Sequence, residues 1–236
     1  MIELRGHVGY RARPVLRDLA LRIRQGERVA VVGGNGAGKT TLLRALMGLQ
    51  PVDGTLTVAG RPIRRAEDAV EAGLGLVFQN PDDQLFGATV GEDVRFGPRN
   101  QTLDPPHVDR RAAAALEQLG IAALADRPIE ELSFGEKKRA CLAGVLAMHP
   151  RVLLLDEPTA GLDPRGEAAL VALLGALDAT LIVATHAVDV VPRLCDRVLV
   201  LSGGTVAADG SCAEIFGRAE LLRAASLRAP YAEAAR

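Results

Sequence analysis

Along the first 32 residues, apolar and polar side chains alternate, as in the segment LALRIRQGERVAVVG. A period of two is typical of strands with one buried face, so this region is predicted to form short strands. The last of them, over residues 28–32, is predicted to be buried. Residues 54–60 are predicted to form a strand bounded by glycines, and residues 73–80 are predicted to contain another.

Two other apolar runs, residues 152–155 and 181–184, are continuous rather than alternating. Continuous runs are typical of strands in a parallel sheet that is covered on both faces. Helical spacing occurs over residues 39–49 and 164–177. In the second of these the leucines recur at i, i+3, i+4 and i+7, which predicts one buried face: Leu170, Leu173, Leu174 and Leu177.

The middle of the chain has a different pattern, with alanine-rich helical runs from residue 81 to 148 before strands and helices alternate again. We therefore predict an α/β core over residues 1–80 and 150–210, interrupted by a helical part over residues 81–149. Residues 211–236 have a helical pattern and are predicted to form a tail that frays near its end.

Composition narrows the possible classes of function. The 236 residues carry 28 Lys and Arg against 29 Asp and Glu, and only 3% are aromatic, so a nucleic-acid partner is not expected. The longest nearly apolar stretch, residues 168–177, is shorter than the roughly 20 residues of a membrane span. The first ten residues carry charge and do not read as a secretion signal, so a cytosolic chain is expected.

The three cysteines are widely spaced and form no C-x-x-C pair. The pattern predicts reduced, buried thiols, and a structural zinc site is not expected.

A phosphate-binding motif occupies residues 33–40, where GGNGAGKT fits G-x-x-x-x-G-K-[ST]. It lies between a predicted buried strand and a predicted helix, as its mechanism requires. The glycines let backbone amides surround the phosphates, Lys39 reaches the β- and γ-phosphates, and the Thr40 hydroxyl ligates Mg²⁺. This context disfavours a glycine-rich turn without a ligand and predicts binding of ATP or GTP.

Two consecutive carboxylates follow the buried strand in RVLLLDEP. Asp156 is predicted to reach the carboxyl edge of the sheet and hold Mg²⁺. Glu157 is predicted to orient and deprotonate the attacking water, a role worth typically ~10²–10⁴-fold in rate. Read alone, the pair could be only a polar strand end, but its position after a strand and alongside a phosphate loop favours the catalytic interpretation.

A second anion-binding helix start is predicted in LSFGEKKRA, residues 132–140, which has a capping serine, a glycine and a basic helical run. This segment lies about twenty residues before the two carboxylates. In sequence and position it resembles the signature motif of ABC-type ATPases. The usual form of that motif is L-S-G-G-Q. Here Phe134 replaces the first glycine and Glu136 the glutamine, while Ser133 and Gly135 are retained.

Other motifs of these ATPases follow in order along nearly the whole chain. Gln79 matches the Q-loop glutamine, AGLD at residues 160–163 matches the D-loop, and His186 matches the switch histidine. Tyr10 matches the aromatic residue that stacks on adenine, although a half-buried strand tyrosine is the alternative. The resemblance implies one nucleotide-binding domain over residues 1–236, with an α/β P-loop NTPase fold. Its parts would be a parallel-sheet core, an N-terminal antiparallel β subdomain and a helical subdomain.

The resemblance also implies a division of roles in a head-to-tail dimer. The catalytic residues would be Glu157 and His186, and Mg²⁺ would be held by Thr40, Gln79 and Asp156. ATP would be bound within one chain by Tyr10, Gly33, Gly34, Asn35, Gly36, Ala37, Gly38, Lys39, Thr40, Thr41 and Gln79. The second chain would contact the same ATP through Ser133, Phe134, Gly135, Glu136 and Asp163.

The segment QNPDDQLF, residues 79–86, followed by EDVRFGP, resembles the energy-coupling-factor class of ABC importers, and the signature region resembles its cobalt/nickel branch. This resemblance implies a peripheral position on the cytoplasmic face of the membrane. The partners would be a transmembrane coupling subunit, a substrate-binding membrane subunit and a second copy of the chain. Co²⁺ is favoured as the transported substrate, followed by Ni²⁺ and then a vitamin such as biotin; a heterodimer with a sister ATPase remains open.

A soluble ABC-type ATPase is the alternative class. Those in DNA repair carry a long coiled-coil insertion and those in translation carry two P-loops, neither of which is present in this sequence. An ATPase of cofactor assembly stays open. A non-catalytic nucleotide-binding module is disfavoured because Lys39 and Glu157 are both present.

Overall fold

The computed structural model describes residues 1–10, 13–101 and 104–230. The chain divides into two compact units. The first contains residues 1–76, residues 151–157 and the chain from Leu174 onward. The second contains residues 77–150 and 158–173.

Strands and helices alternate over much of the described chain. The strands are β1 (Ile2–Tyr10), β2 (Arg13–Ile23), β3 (Arg28–Val32), β4 (Val52–Val58), β5 (Arg61–Pro62), β6 (Leu74–Val77), β7 (Val152–Asp156), β8 (Thr180–Thr185), β9 (Arg197–Ser202) and β10 (Thr205–Ser211). The helices are α1 (Lys39–Leu46), α2 (Ala66–Glu71), α3 (Val90–Asn100), α4 (Pro105–Gln118), α5 (Phe134–Leu146), α6 (Pro164–Gly175), α7 (Val191–Leu194), α8 (Cys212–Phe216) and α9 (Ala219–Ala224).

A mainly parallel sheet has the strand order β10-β9-β3-β8-β7-β6. Strand β3 lies between β8 and β9 and is parallel to both, and β7 is parallel to β8. All residues of β7 and β8 are buried, which confirms the parallel sheet predicted from continuous apolar runs. Because the carboxyl ends of parallel strands share one edge, the segments that follow β3, β7 and β8 emerge side by side.

The N-terminal strands form a separate antiparallel sheet with the order β2-β1-β4-β5. Leu4 of β1 is paired with Leu21 on one side and Leu56 on the other. These three leucines are buried, as the alternating pattern predicts for one face of the sheet.

In the second unit, helices α3, α4 and α5 pack against one another. The helical part predicted over residues 81–149 lies in this unit, together with most of α6. Within the described ranges, none of the helices combines the length and apolar character needed to cross a bilayer.

Two predicted helices end earlier in the structure than in the sequence pattern. Helix α1 ends at Leu46 instead of residue 49, because Gly48 adopts a φ of 71° and the amides of Met47 and Gly48 close the last turn on carbonyls within the helix. Helix α6 ends at Gly175 instead of residue 177.

The three cysteines are free thiols. Cys141 and Cys195 are buried as predicted, and burial raises the pKa of Cys141 to about 12. Cys212 is only half-buried, so the prediction of burial was wrong for this residue.

Candidate active site

The phosphate-binding motif forms the connection between β3 and α1, in the first unit. Gly38 is the N-cap of α1 and has a φ of 101°, which L side chains rarely adopt. A Cβ atom at Gly38 would lie 2.6 Å from Leu16 Cδ2, and one at Gly33 would lie 2.5 Å from the Leu201 carbonyl oxygen. Close packing therefore requires glycine at both positions, and the loop can turn its amides toward a bound anion.

Lys39 is 7% exposed, and its ammonium is held by the loop that precedes it. The Nζ atom donates to the Gly33 carbonyl at 2.9 Å and to the Gly34 carbonyl at 3.3 Å. It also lies 3.8 Å from Glu157 Oε1. Phosphate oxygens could replace the loop carbonyls as acceptors, so the cation is already located where a nucleotide would need it.

Asp156 ends strand β7 and is 3% exposed. Burial raises its pKa, and a hydrogen bond from the Thr40 side chain opposes this shift. Among the described residues, the Asp156 Oδ1 atom has no hydrogen-bond partner. A buried, unpartnered carboxylate oxygen beside a threonine hydroxyl is an oxygen donor set that suits Mg²⁺.

Glu157 is 6% exposed and has a φ of 46°, in the left-handed region that non-glycine residues rarely occupy. Its amide donates to the Ala184 carbonyl at 2.8 Å. Its carboxylate accepts hydrogen bonds from Thr185 Oγ1 at 3.1 Å and from the His186 amide at 3.1 Å. These bonds to the end of β8 fix the carboxylate in spite of the unfavourable backbone conformation.

The imidazole of His186 completes this cluster, with Nδ1 2.8 Å from Glu157 Oε1. The His186 side chain is 57% exposed, whereas that of Glu157 is 8% exposed. The cluster therefore presents a buried, oriented carboxylate between an ammonium and a solvent-facing imidazole. Such a carboxylate can orient a water molecule and accept its proton.

Thr185 is a residue of the site that the sequence interpretation missed. It is fully buried, donates to Glu157 and accepts from the Ala187 amide at 3.0 Å. Its position directly before His186, at the end of a strand, was the available signal. Its hydroxyl therefore helps to fix the Glu157 carboxylate, in addition to its place in the sheet core.

The segment after α9 also lies against the phosphate loop. A Cβ atom at Gly34 would lie 3.3 Å from Ser226 Cβ and 3.4 Å from the Ala225 carbonyl oxygen. Two residues further along, Arg228 Nη2 is 2.5 Å from Asp189 Oδ2. The sequence carried no signal for this contact, since about 190 residues separate Gly34 from Ser226.

Ser133 caps the N-terminus of α5, in the second unit. Its hydroxyl accepts from the Glu136 amide at 3.4 Å, and Glu136 Oε2 accepts from the Ser133 amide at 2.8 Å and from its hydroxyl at 2.7 Å. These bonds form a capping box. The hydrogen bond from Ser133 is the largest factor that lowers the pKa of Glu136.

Ser133, Phe134, Gly135 and Asp163 line a single cavity of about 610 Å³ within the second unit. Asp163 is held at the start of α6, where its Oδ1 accepts from the Gly166 amide at 2.6 Å. The structure thus brings together four of the five residues predicted to contact a partner's nucleotide. Glu136 lies beside them through its bond to Ser133.

The remaining predicted residues fall in several places. Gln79 lies in the second unit and is exposed. Asn35 and Thr41 belong to the phosphate loop and the first turn of α1. The Tyr10 side chain lies outside the described part of the chain.

Comparison with known proteins identifies the family of this chain. Residues 16–160 match the family model for ABC transporters. The chain is 44% identical to the energy-coupling factor transporter ATP-binding protein EcfA of Methanothermobacter thermautotrophicus, over 92% of this chain and 72% of that protein. It is 43% identical to EcfA of Methanocaldococcus jannaschii, over 92% of this chain and 80% of that protein.

Among solved structures, the fold is similar to that of cbiO1 from Clostridium perfringens, described as part of the ABC transporter complex cbiONQ. The TM-score is 0.82 at 39% identity, with 94% of this chain and 92% of that chain covered. ATP hydrolysis is the activity of this family, and the chain carries a phosphate-binding motif at residues 33–40. The chain therefore belongs to the ABC transporter family, as an ATP-hydrolysing subunit of the energy-coupling-factor type.

Proposed function

We propose that this chain powers the import of a transition-metal ion, with Co²⁺ favoured, as the peripheral ATPase of a membrane transporter. Its resemblance to the cobalt/nickel branch and its similarity to a component of the cbiONQ complex support this proposal. In it, the chain acts as one nucleotide-binding domain on the cytoplasmic face of the membrane.

Within one chain, the phosphate loop and Lys39 bind the phosphates of ATP. Thr40 and Asp156 are the residues that would hold Mg²⁺, and the bound ion would neutralise phosphate charge. Gln79 is proposed as a further ligand on the family resemblance alone. Glu157, fixed by Thr185 and His186, takes the proton of the attacking water.

A second copy of the chain completes each site in this proposal. Two helix starts that suit anions exist in one polypeptide, one at Gly38 and one at Ser133. In a two-fold, head-to-tail pair, the Ser133–Gly135 end of one chain faces the γ-phosphate held by the other. Loss of that phosphate removes the charge that both chains bind, so hydrolysis opens the pair.

The observation that carries the membrane assignment is an exposed aromatic pair that follows Gln79 in the second unit. Phe86 is 65% exposed and Phe96 is 49% exposed, and their rings meet edge to face with centroids 4.6 Å apart. Exposed aromatic side chains are costly in water and typical of protein contacts. We propose that this aromatic pair contacts a helical segment of the transmembrane coupling subunit.

The experiment is copurification with tagged chain from detergent-solubilised membranes, followed by ATPase and uptake assays with Co²⁺ and Ni²⁺ in competition. The Phe86→Ser and Phe96→Ser variants should lose the membrane partner and the stimulation of ATPase activity that the partner causes. Leu49→Ser is the matched control, since Leu49 is 48% exposed but lies in the first unit.

Uptake of Co²⁺ that excess Ni²⁺ inhibits only weakly would support the proposal. A chain that copurifies with no membrane protein, or a partner retained by both phenylalanine variants, would contradict the membrane assignment. Uptake of Ni²⁺ or of a vitamin in preference to Co²⁺ would overturn the proposal that Co²⁺ is the transported substrate.

A further inference from the structure

Lys138 is a charged residue that the hydrolytic mechanism does not use, yet it is only 5% exposed. It lies on α5, and its ammonium donates to the Gln79 carbonyl at 3.2 Å. The same Nζ atom lies 5.4 Å from the centroid of the Phe134 ring, within the range of a cation–π contact. A buried ammonium requires such partners, so the contacts hold Lys138, Gln79 and Phe134 together.

The Phe134 ring in turn packs on the D-loop. A Cβ atom at Gly161 would lie 2.7 Å from Phe134 Cε1, and Gly161 has a φ of 77°. The ring therefore occupies the space that any larger residue at position 161 would need. In the next position of α5, a Cβ atom at Gly135 would lie 3.5 Å from Leu162 Cδ2.

Further contacts join α5 to the segment that follows Gln79. Lys137 Nζ pairs with Asp82 Oδ1 at 2.6 Å, and Gln84 Nε2 donates to the Cys141 carbonyl at 3.2 Å. All of these residues belong to the second unit. Helix α5 thus contacts residues 79–84 at several positions along the helix. At its first turn, the same helix contacts the D-loop.

We propose that Lys138 and Phe134 form a link by which the position of the Gln79 backbone sets the position of the D-loop. Lys138 is a positioning residue in this link, because it acts on Gly161 through the Phe134 ring. A phenylalanine in place of the usual signature glycine supplies the ring that makes the link. This inference rests on the proposed function, in which the segment after Gln79 contacts a membrane partner and a second copy of the chain completes each nucleotide site.

Hydrogen–deuterium exchange of the full chain without nucleotide tests the link directly. The Leu162 amide donates to the Thr159 carbonyl at 3.2 Å, so its exchange reports opening of the D-loop. The Leu85 amide donates to the Pro81 carbonyl at 3.0 Å and reports the segment after Gln79. No transport or dimerisation is needed, so a failure here is distinct from a failure of the proposed function.

Lys138→Met, which removes the charge but keeps the apolar stem, should speed exchange of both Leu162 and Leu85 by about three- to tenfold, the range expected for loss of a partly buried cation–π contact. Phe134→Leu should speed exchange of Leu162 alone, because Lys138 keeps its bond to Gln79. The double variant should exchange at Leu162 no faster than the faster single variant. The conservative variants Phe134→Tyr and Lys138→Arg keep the ring and the cation, so their exchange rates should stay at the wild-type values.

Arg110→Met is the control, since Arg110 is an exposed residue of α4 in the same unit and should change neither amide. Leu162 exchange that stays at the wild-type rate in Lys138→Met would overturn the link. Effects of Lys138→Met and Phe134→Leu on Leu162 that multiply in the double variant would also overturn it. If Lys138→Met fails to fold, Phe134→Leu compared with Phe134→Tyr decides between a ring-specific link and simple apolar packing.

Discussion

Replacing Asp156 with asparagine should make the nucleotide-free protein more stable and its Mg–ATP complex less stable. In the structure, the carboxylate is 3% exposed, and among the described residues its Oδ1 atom has no hydrogen-bond partner. Burial raises the pKa of Asp156, which shows that the charged form is disfavoured in the folded state. An asparagine amide has a similar shape but no charge, so the free-energy cost of burying a charged group at this position is removed.

The expected gain follows from the cost of a buried unsatisfied group, about 1–3 kcal/mol and more when it is charged. The asparagine amide is itself imperfectly bonded, so we expect a net gain of about 1–2 kcal/mol. For a chain of this size, 1 kcal/mol corresponds to roughly 2–4 °C in Tm, which predicts an increase of about 2–8 °C.

Thermal unfolding followed by circular dichroism measures this effect, with and without ATP and Mg²⁺. Ligand at 100 times its Kd stabilises a protein by about 2.7 kcal/mol, and wild type should show a gain of that order. The variant should gain clearly less from Mg²⁺, because it lacks the carboxylate that would hold the ion. Asp178→Asn, at an exposed position, is the control and should change neither value.

The raised pKa of Asp156 also fixes the direction in which the stability of the folded protein changes with pH. Because the pKa of Asp156 is raised in the folded state, its ionisation destabilises the native state as pH rises from the ordinary aspartate pKa of 3.8 through the folded-state pKa. The stability difference between variant and wild type should therefore narrow as pH falls into this window. If the variant is less stable than wild type without nucleotide and gains as much stability from Mg²⁺, Asp156 is neither a destabilising buried charge nor a ligand of the ion.

Three further substitutions test the individual roles. Glu157→Gln should keep ATP binding, slow turnover by at least ~10²-fold and accumulate an ATP-bound pair in size-exclusion chromatography; rapid turnover would remove Glu157 as the base. Lys39→Ala should abolish nucleotide binding in a fluorescent-ATP titration, and unchanged affinity would contradict the assignment of the phosphate loop. Glu136→Gln should keep the capping box and raise ATPase activity several-fold, since glutamine also caps but brings no negative charge toward a phosphate; equal or lower activity would show that this carboxylate does not face the nucleotide.

Local and periodic features of the site were predictable from the sequence. The continuous apolar runs predicted parallel strands, and parallel strands bring their carboxyl ends to one edge. The phosphate loop, Asp156 and His186 therefore had to lie near one another once the strands were placed. The glycines of the loop followed from the motif, and the clash of a Cβ atom at Gly38 with Leu16 gives the physical reason.

Contacts between distant segments were not predictable in this way. In the sequence, Thr185 is an ordinary strand residue, and only the structure shows the hydrogen bond from its hydroxyl to Glu157. The sequence shows Phe134 as a departure from the signature motif, and only the structure shows that its ring packs on Gly161. The contact of Ser226 with Gly34 depends on where the tail packs, which a helical pattern does not determine.

Mixing two inactive variants tests most directly whether each ATP is held by two chains. Lys39→Ala lacks a working phosphate loop, whereas Ser133→Arg lacks a working signature end, so neither variant should hydrolyse ATP alone. In an equimolar mixture, half of the pairs should be mixed, and each mixed pair should hold one intact site. The activity of the mixture should therefore recover to about one quarter of the wild-type activity. A mixture that stays inactive, or Ser133→Arg alone with full activity, would contradict it.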